Sequence, residues 1–320
     1  MAIRTGRART LSRATDSVGP TPQIASLGVW SLAWRRLRHD RVAMASLVVI
    51  VLIVLVAVCA SVVAAITGHP PNQQYRDTGL SPDGLPRPPS REFWLGTDDL
   101  GRDILVRIAY GARISLLVGV VATVLTVGVG VVVGLVAGFF GGWTDSVLAR
   151  VVDLVLSMPF LLVAIALVSI TGPSLTVTIL VIGFFSWASV ARIVRGQVLS
   201  IREREYVDAA RALGAQPARI MFVEILPNVM APIIVYTTLL IPVVIVTQAT
   251  LSFLGLGLAP PTADWGGMLS EAQGYYTTSW WFIVFPGAAL LVTTLAFNLL
   301  GDGVRDAFDP RSDQLLGTWR

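Results

Sequence analysis

The sequence predicts an all-α integral membrane protein with six transmembrane helices, on three observations. Of its 320 residues 54% are hydrophobic and only 14% charged, whereas charged residues make up about a quarter of a soluble domain. Apolar runs recur six times between polar intervals. The 24 basic residues, all of them arginine, also fall very unevenly across those intervals.

Residues 1–29 mix Arg4, Arg7, Arg9 and Arg13 with Ser, Thr, Gly and Pro, a composition too polar to bury a core, and disorder is expected there. Trp30 to Arg41 places four more arginines beside Trp30, Leu32, Trp34 and Leu37, the pattern of an interfacial amphipathic helix. A secretory signal would also begin basic and turn apolar, but a 41-residue basic region and a 25-residue apolar run, Val42 to Ile66, are both too long for one. That uncharged run exceeds the ~20 residues needed to cross a ~30 Å hydrocarbon core, so it is read as the first span. It contains the single cysteine, Cys59, which has no intrachain partner for a disulfide.

The interval Thr67 to Ala112 opens as an irregular loop rich in Pro and Gly, then becomes FWLGTDDLGRDILVRIAYGARIS. Thr97 is expected to cap a helix whose first turn holds Asp98 and Asp99, carboxylates that suit the positive end of a helix dipole. A paired-aspartate metal site is the sharper alternative, but no histidine stands near it in sequence, and no metal site is assigned. Further spans are predicted at Ile114–Phe140, Leu154–Ile170, Leu175–Ala191, Val229 to about Leu256, and Trp280–Gly301. The third and fourth are 17 residues each as charge-free runs and are expected to extend past Asp153 and to Arg192. Gly128, Gly130, Gly134 and Gly138 recur along the second span at spacings that let another helix approach closely. With the N-terminus inside, 18 arginines lie in cytoplasmic segments and six, Arg76 to Arg113, in or beside the first outer loop, as the positive-inside rule requires. The net charge of +4 is thereby explained by topology, and no nucleic-acid partner is expected.

No span carries a charge near its middle, where ion-coupled carriers keep an ionisable residue, so the energy source is expected outside this chain. A chain without lysine has no G-x-x-x-x-G-K-[ST] phosphate loop either, so any ATP is hydrolysed by another subunit and no cofactor is expected here. His39 and His69 flank the first span, cannot pair, and read as solvated side chains; no catalytic residue is assigned. Pro159, Pro173, Pro232, Pro242 and Pro286 sit in or at the ends of spans, where they can kink helices around a cavity. Thr247, Gln248, Thr250 and Ser252 form the densest polar cluster within a span, and either line that cavity or hydrogen-bond between helices.

One polar interval stands apart, EYVDAARALGAQPARIMFVEILPN, residues 205 to 228. Gly214 can end a short helix in a left-handed conformation, and Pro217 suits the first turn of a second one, expected to run through Ile220 and Phe222 to Leu226-Pro227. An amphipathic loop lying on the bilayer would be the plainer reading. The order Asp208-Ala209-Ala210, Gly214, Leu226-Pro227 resembles the EAA loop of permease subunits of ABC importers, with Asp208 where the pattern usually has Glu and Glu224 where many members have an aliphatic residue. LGTDDLGRDILVRIAYGARISL and the closing GDGVRDAFDPR are similar to the C-type permeases of dipeptide, oligopeptide and nickel importers.

The resemblance, spanning roughly residues 30 to 311, implies a type I permease fold in a bacterial cytoplasmic membrane with both termini cytoplasmic. It implies a homologous second permease, two cytoplasmic ATP-binding subunits, an extracytoplasmic substrate-binding protein and the lipid bilayer as partners. Glu205, Tyr206, Asp208, Ala209, Ala210, Gly214, Pro217, Leu226 and Pro227 would form the surface that docks on the ATPase. The domains are then a cytoplasmic Arg-rich tail (1–29), the interfacial helix (30–41), a permease domain (42–302) with outer loop 67–113 and coupling loop 196–227, and a cytoplasmic tail (303–320). Dipeptide or oligopeptide import is the expected function. The alternatives are a nickel or other small-solute importer and, in another class, a membrane scaffold or sensor that holds a cytoplasmic protein.

Overall fold

A computed structural model describes residues 29–309. The expectations for residues 1–28 and for the tail from residue 310 lie outside those described.

Each helix begins and ends where local chemistry dictates. α1 (Val29–His39) stops at Asp40, whose carboxylate accepts from the amides of Val42 at 2.8 Å and Ala43 at 3.2 Å and so caps α2 (Arg41–Val58). The first span continues past Cys59 as α3 (Ala60–Thr67), which Gly68 ends at φ 74°. The short α4 (Arg76–Gly79) lies in the following loop. α5 (Ile104–Phe140) is capped by Asp103, and α6 (Gly142–Ser157) follows directly. At Met158-Pro159 the chain cannot stay helical, because the proline ring drives the residue before it into an extended conformation. α7 (Phe160–Thr171) therefore leaves α6 at 82°, and the third span is this bent pair. Ser174 caps α8 (Leu175–Ile201) by accepting from Val177 N at 3.2 Å.

Past α8 come α9 (Glu205–Ala212), α10 (Pro217–Arg219), a π-helical turn at Ile220–Ile225, and α11 (Leu226–Phe253). α12 (Trp265–Ala272) precedes α13 (Trp280–Phe308). Among the described residues five helical stretches are long and apolar enough to cross a bilayer, and the bent pair makes six.

The core forms where α5 crosses α8 and α11. A Cβ on Gly130 would meet the Val190 side chain at 2.5 Å, one on Gly134 the Ala191 carbonyl at 2.6 Å, and one on Gly138 Val198 at 2.7 Å. Three of the four glycines read from the sequence thus let α8 approach; Gly128 faces open space. Around that seam Val118, Ala122, Ile182, Ala188, Val194 and Val244 are buried. The outward faces stay apolar, with Val48, Val51 and Leu55 of α2 and Leu162 and Ile170 of α7 exposed, as contact with lipid requires.

The structure corrects three expectations. Thr97 does not begin a helix: its hydroxyl donates to the Gly79 carbonyl at 2.5 Å and accepts from Arg87 N at 2.8 Å, tying the loop together, while Asp103 supplies the cap six residues later. His69 is not solvated. It is 7% exposed, pairs through Nδ1 with Asp103 Oδ2 at 2.7 Å, and stacks on Phe93 at 4.6 Å between ring centroids. His39, by contrast, is exposed and bonded through Nδ1 to the Arg35 carbonyl. Finally, the second helix of the 205–228 interval does not end at Leu226-Pro227, for the helical path from Pro217 runs on to Phe253. Pro227 has no amide to give and crowds the carbonyl four residues back, and the wider π-helical turn before it relieves both effects. Asn228 Nδ2 donates to the Glu224 carbonyl in that turn at 2.6 Å.

Candidate functional site

The 205–228 interval folds back on the end of the bundle. α9 ends in a Schellman motif, with Ala215 N donating to Ala210 O at 3.0 Å and Gly214 N to Arg211 O at 2.9 Å. Gly214 sits at φ 79° with open space around it, so the backbone angle alone selects glycine there. Val207, Ile220, Met221 and Ile225 are buried in the main core, and Ala210, Ala215 and Leu226 pack against it. That face fixes the loop. The other face is presented outward: Glu205, Tyr206, Asp208, Ala209 and Pro217 are exposed, and so is Pro227 on the following turn. Leu213 is 88% exposed and Phe222 57%, apolar side chains left on the outward surface of the loop. Asp208 pairs with Arg211 on its own helix at 2.9 Å. Exposed pairs of this kind contribute little, about 0–1 kcal/mol, so the carboxylate is held in place without being consumed.

The helices beside the loop are tied to one another. Arg202 Nη1 donates to Gly138 O at 2.9 Å, Arg195 pairs with Asp145, and Arg192 meets Asp153 at 2.6 Å, linking α5, α6 and α8 at this end. On α11 the polar cluster splits. Gln248 and Ser252 are buried and joined at 2.9 Å, with Gln248 Nε2 also donating to Asp264 Oδ1, the cap of α12, at 3.0 Å. Thr247 and Thr250 turn the other way, each bonded to the carbonyl one turn back at 2.8 Å.

At the opposite end of the bundle lies a buried ionic cluster that sequence reasoning missed. Asp98 Oδ2 meets Arg102 Nε at 2.5 Å and Arg107 Nε at 3.2 Å, and Glu271 Oε2 bonds both guanidiniums at 3.0 Å. Asp98, Asp99 and Glu271 could bring three oxygens within 4.8 Å of one another. Two arginines already hold the carboxylates of Asp98 and Glu271, so the group is built as an ion-pair network. Burial first, then the neighbouring charges of Asp98 and Glu271, keeps the Asp99 carboxyl above the ordinary carboxylate range. The local signal was there, since Arg102 and Arg107 flank the true cap, Asp103, at the mouth of an apolar helix.

Residues 130–314 match the family described as binding-protein-dependent transport system inner membrane component. The chain belongs to that family. Residues 28–82 also match the N-terminal transmembrane domain of oligopeptide transport permease C. Among curated relatives, the oligopeptide transport system permease protein OppC of Bacillus subtilis is 42% identical over 300 residues, covering 93% of this chain and 95% of that one. The dipeptide transport system permease protein DppC of Alkalihalophilus pseudofirmus is 39% identical over 296 residues (92% and 94%), and its counterpart in Escherichia coli is 43% identical over 281 (88% and 93%). An inward-facing structure of the MetNI methionine ABC transporter matches at TM-score 0.54 and 18% identity, covering 63% of this chain and 96% of that one, and shares its fold. The chain is accordingly a multi-pass inner-membrane component with the permease fold, and the loop at 205–228 falls inside the matched segment.

Proposed function

We propose that this chain is the membrane-spanning permease subunit of an ATP-driven importer that carries dipeptides or oligopeptides into the cytoplasm. The observation that carries the coupling role is the unbroken helical path from Pro217 to Phe253. A displacement at the loop is therefore passed along a continuous helix into a span. Residues 205–227 dock on cytoplasmic ATP-binding subunits, which hydrolyse the ATP; Glu205, Tyr206, Asp208, Ala209 and Pro217 face the partner, while Ala210, Gly214, Leu226 and Pro227 hold the loop in shape. The peptide substrate class rests on the named activities of relatives about 40% identical over nearly the whole of both chains. A second, homologous permease completes the pathway, two ATPase subunits drive it and an extracytoplasmic binding protein delivers the solute. Both termini lie in the cytoplasm, in keeping with the arginine distribution. Of the polar cluster on α11, Thr247 and Thr250 face the pathway, and Gln248 and Ser252 stand behind them.

The test is uptake of labelled di- and oligopeptides by a deletion strain complemented with this chain and its partners, beside the same strain carrying Ala209→Trp. Peptide uptake with the parent chain and its loss with the variant, at equal membrane levels, is expected. Uptake of a metal ion or other small solute in place of peptides would replace the substrate assignment. A chain that inserts normally and restores no uptake would leave it a scaffold.

A further inference from the structure

α1 has two faces. One is occupied by the protein: Ala33 is buried, Leu37 Cδ1 lies beside Gly303, Trp30 meets Phe308 edge-on at 5.5 Å, and Arg36 Nη1 donates to the Asp309 carbonyl at 3.0 Å. The other face, at the i, i+3, i+4, i+7, i+8 spacing of a helix, carries Ser31, Trp34, Arg35, Arg38 and His39, which line an open groove of about 520 Å³. Arg35 and Arg38, with Arg41 next along the chain at the start of α2, are exposed, and among the described residues none of the three guanidiniums has an ion-pair or hydrogen-bond partner. Asp40, next to them in the chain, accepts from the amides of Val42 and Ala43 through Oδ1 and pairs with none of the three. Three like charges within seven residues repel one another, and among the described residues no ion pair offsets them.

The depth of the groove identifies what does. α2 starts at Arg41, and Val42, Val48, Val51 and Leu52 turn outward from its first turns. The hydrocarbon boundary therefore lies within about a turn of Arg38, and the groove sits at headgroup level. Trp34 is 54% exposed, an indole placed where its polar edge and apolar body are both solvated.

We propose that the groove of Trp34, Arg35, Arg38 and His39 binds the phosphate of an anionic phospholipid. The planar guanidiniums suit phosphate oxygens in pairs. The acyl chains run down the exposed apolar side of α2, a gain that a free phosphate lacks. This assignment does not depend on what the chain transports.

The test uses the full-length chain in neutral detergent, titrated separately with phosphatidylglycerol and phosphatidylcholine and read by native mass spectrometry. Phosphatidylglycerol should bind the more tightly. Arg35→Gln with Arg38→Gln should weaken it about 30-fold, roughly fivefold for each arginine near a charged surface, and lysine at both positions should retain most of the affinity. Arg150→Gln, an exposed arginine on α6, should change nothing. Because both groove arginines are exposed, the double variant is expected to melt with the parent; Trp34→Ala, which keeps every charge, gives a second reading and should weaken binding by less. Equal affinity for the two lipids, or unchanged phosphatidylglycerol binding in the double glutamine variant, would overturn the proposal. So would displacement of the lipid by inorganic phosphate at equal concentration, which would mark a free-anion site.

Discussion

Asp98 and Asp99 are neighbours of the same chemistry, and the structure assigns them opposite effects on stability. The Asp98 carboxylate accepts from the amides of Leu100 and Arg102, both at 2.9 Å, through Oδ1, and faces Arg102 and Arg107 through Oδ2. These three side chains are 0–3% exposed. In Asp98→Asn the amide oxygen can replace Oδ1, but the amide nitrogen then points its hydrogens at two guanidiniums, and Glu271 alone faces two buried positive charges. Breaking a buried pair by removing one partner costs about 3–5 kcal/mol; the lower end applies here, because Asp99, whose carboxylate is 3.6 Å from Arg102, can take up part of the imbalance. Hydrogen exchange of residues 100–106 in the full-length chain should report this as local opening raised about a hundredfold.

Asp99→Asn should do the reverse. Were Asp99 in the first turn of a helix, asparagine there would cost ~0.3–1 kcal/mol. In the structure it removes a crowded negative charge. A carboxyl raised in the folded state binds more protons than in the unfolded chain at pH values between the two pKa values, so stability falls as pH rises through that window. Asp99→Asn should therefore flatten the fall and leave the segment as stable as the parent or more so. Near-parent exchange in Asp98→Asn, or a cap-sized loss with an unchanged pH slope in Asp99→Asn, would refute this account of the cluster.

Gly134→Leu should lower the melting temperature in detergent, because its Cβ falls 2.6 Å from the Ala191 carbonyl; overpacking of this kind costs about 1–3 kcal/mol, whereas Gly128→Leu, facing open space, should melt with the parent. Gly214→Val forces a β-branched side chain into a left-handed backbone, so peptide-stimulated ATPase activity of the reconstituted complex should fall severalfold, while Gly214→Asn, which tolerates that region, should keep most of it. Full stimulation with valine there would remove the loop from the coupling role. After removal of Cys59, cysteines at Asp83 and Gly274, both exposed, should react with an impermeant reagent from outside, and one at Gln216 should be protected. Reaction at Gln216 would invert the orientation.

The spans and the loop were legible because their signals are local. Apolar runs, a glycine four residues past Ala210 and a proline at Pro217 need no knowledge of distant chain. The charged cap at the opposite end was legible only in its local part, Asp98 with Arg102, because the contacts that close it are remote in sequence. Thr97 is drawn from helix capping by a carbonyl 18 residues back, His69 finds its acid 34 residues on, and Arg102 and Arg107 meet Glu271 from 169 and 164 residues away. A capping rule sees a threonine followed by two aspartates and cannot see that the helix end already has Asp103, or that the two aspartates are wanted elsewhere by arginines. The π-helical turn before Pro227 failed for a different reason. The proline was read as a stop, which is what its missing amide and crowded ring do to an isolated helix. Here Val207, Met221 and Ile225 are pinned in the core on one side and Val229 on the other. Widening one turn costs less than abandoning that burial, and the chain keeps its helix through the proline into the membrane.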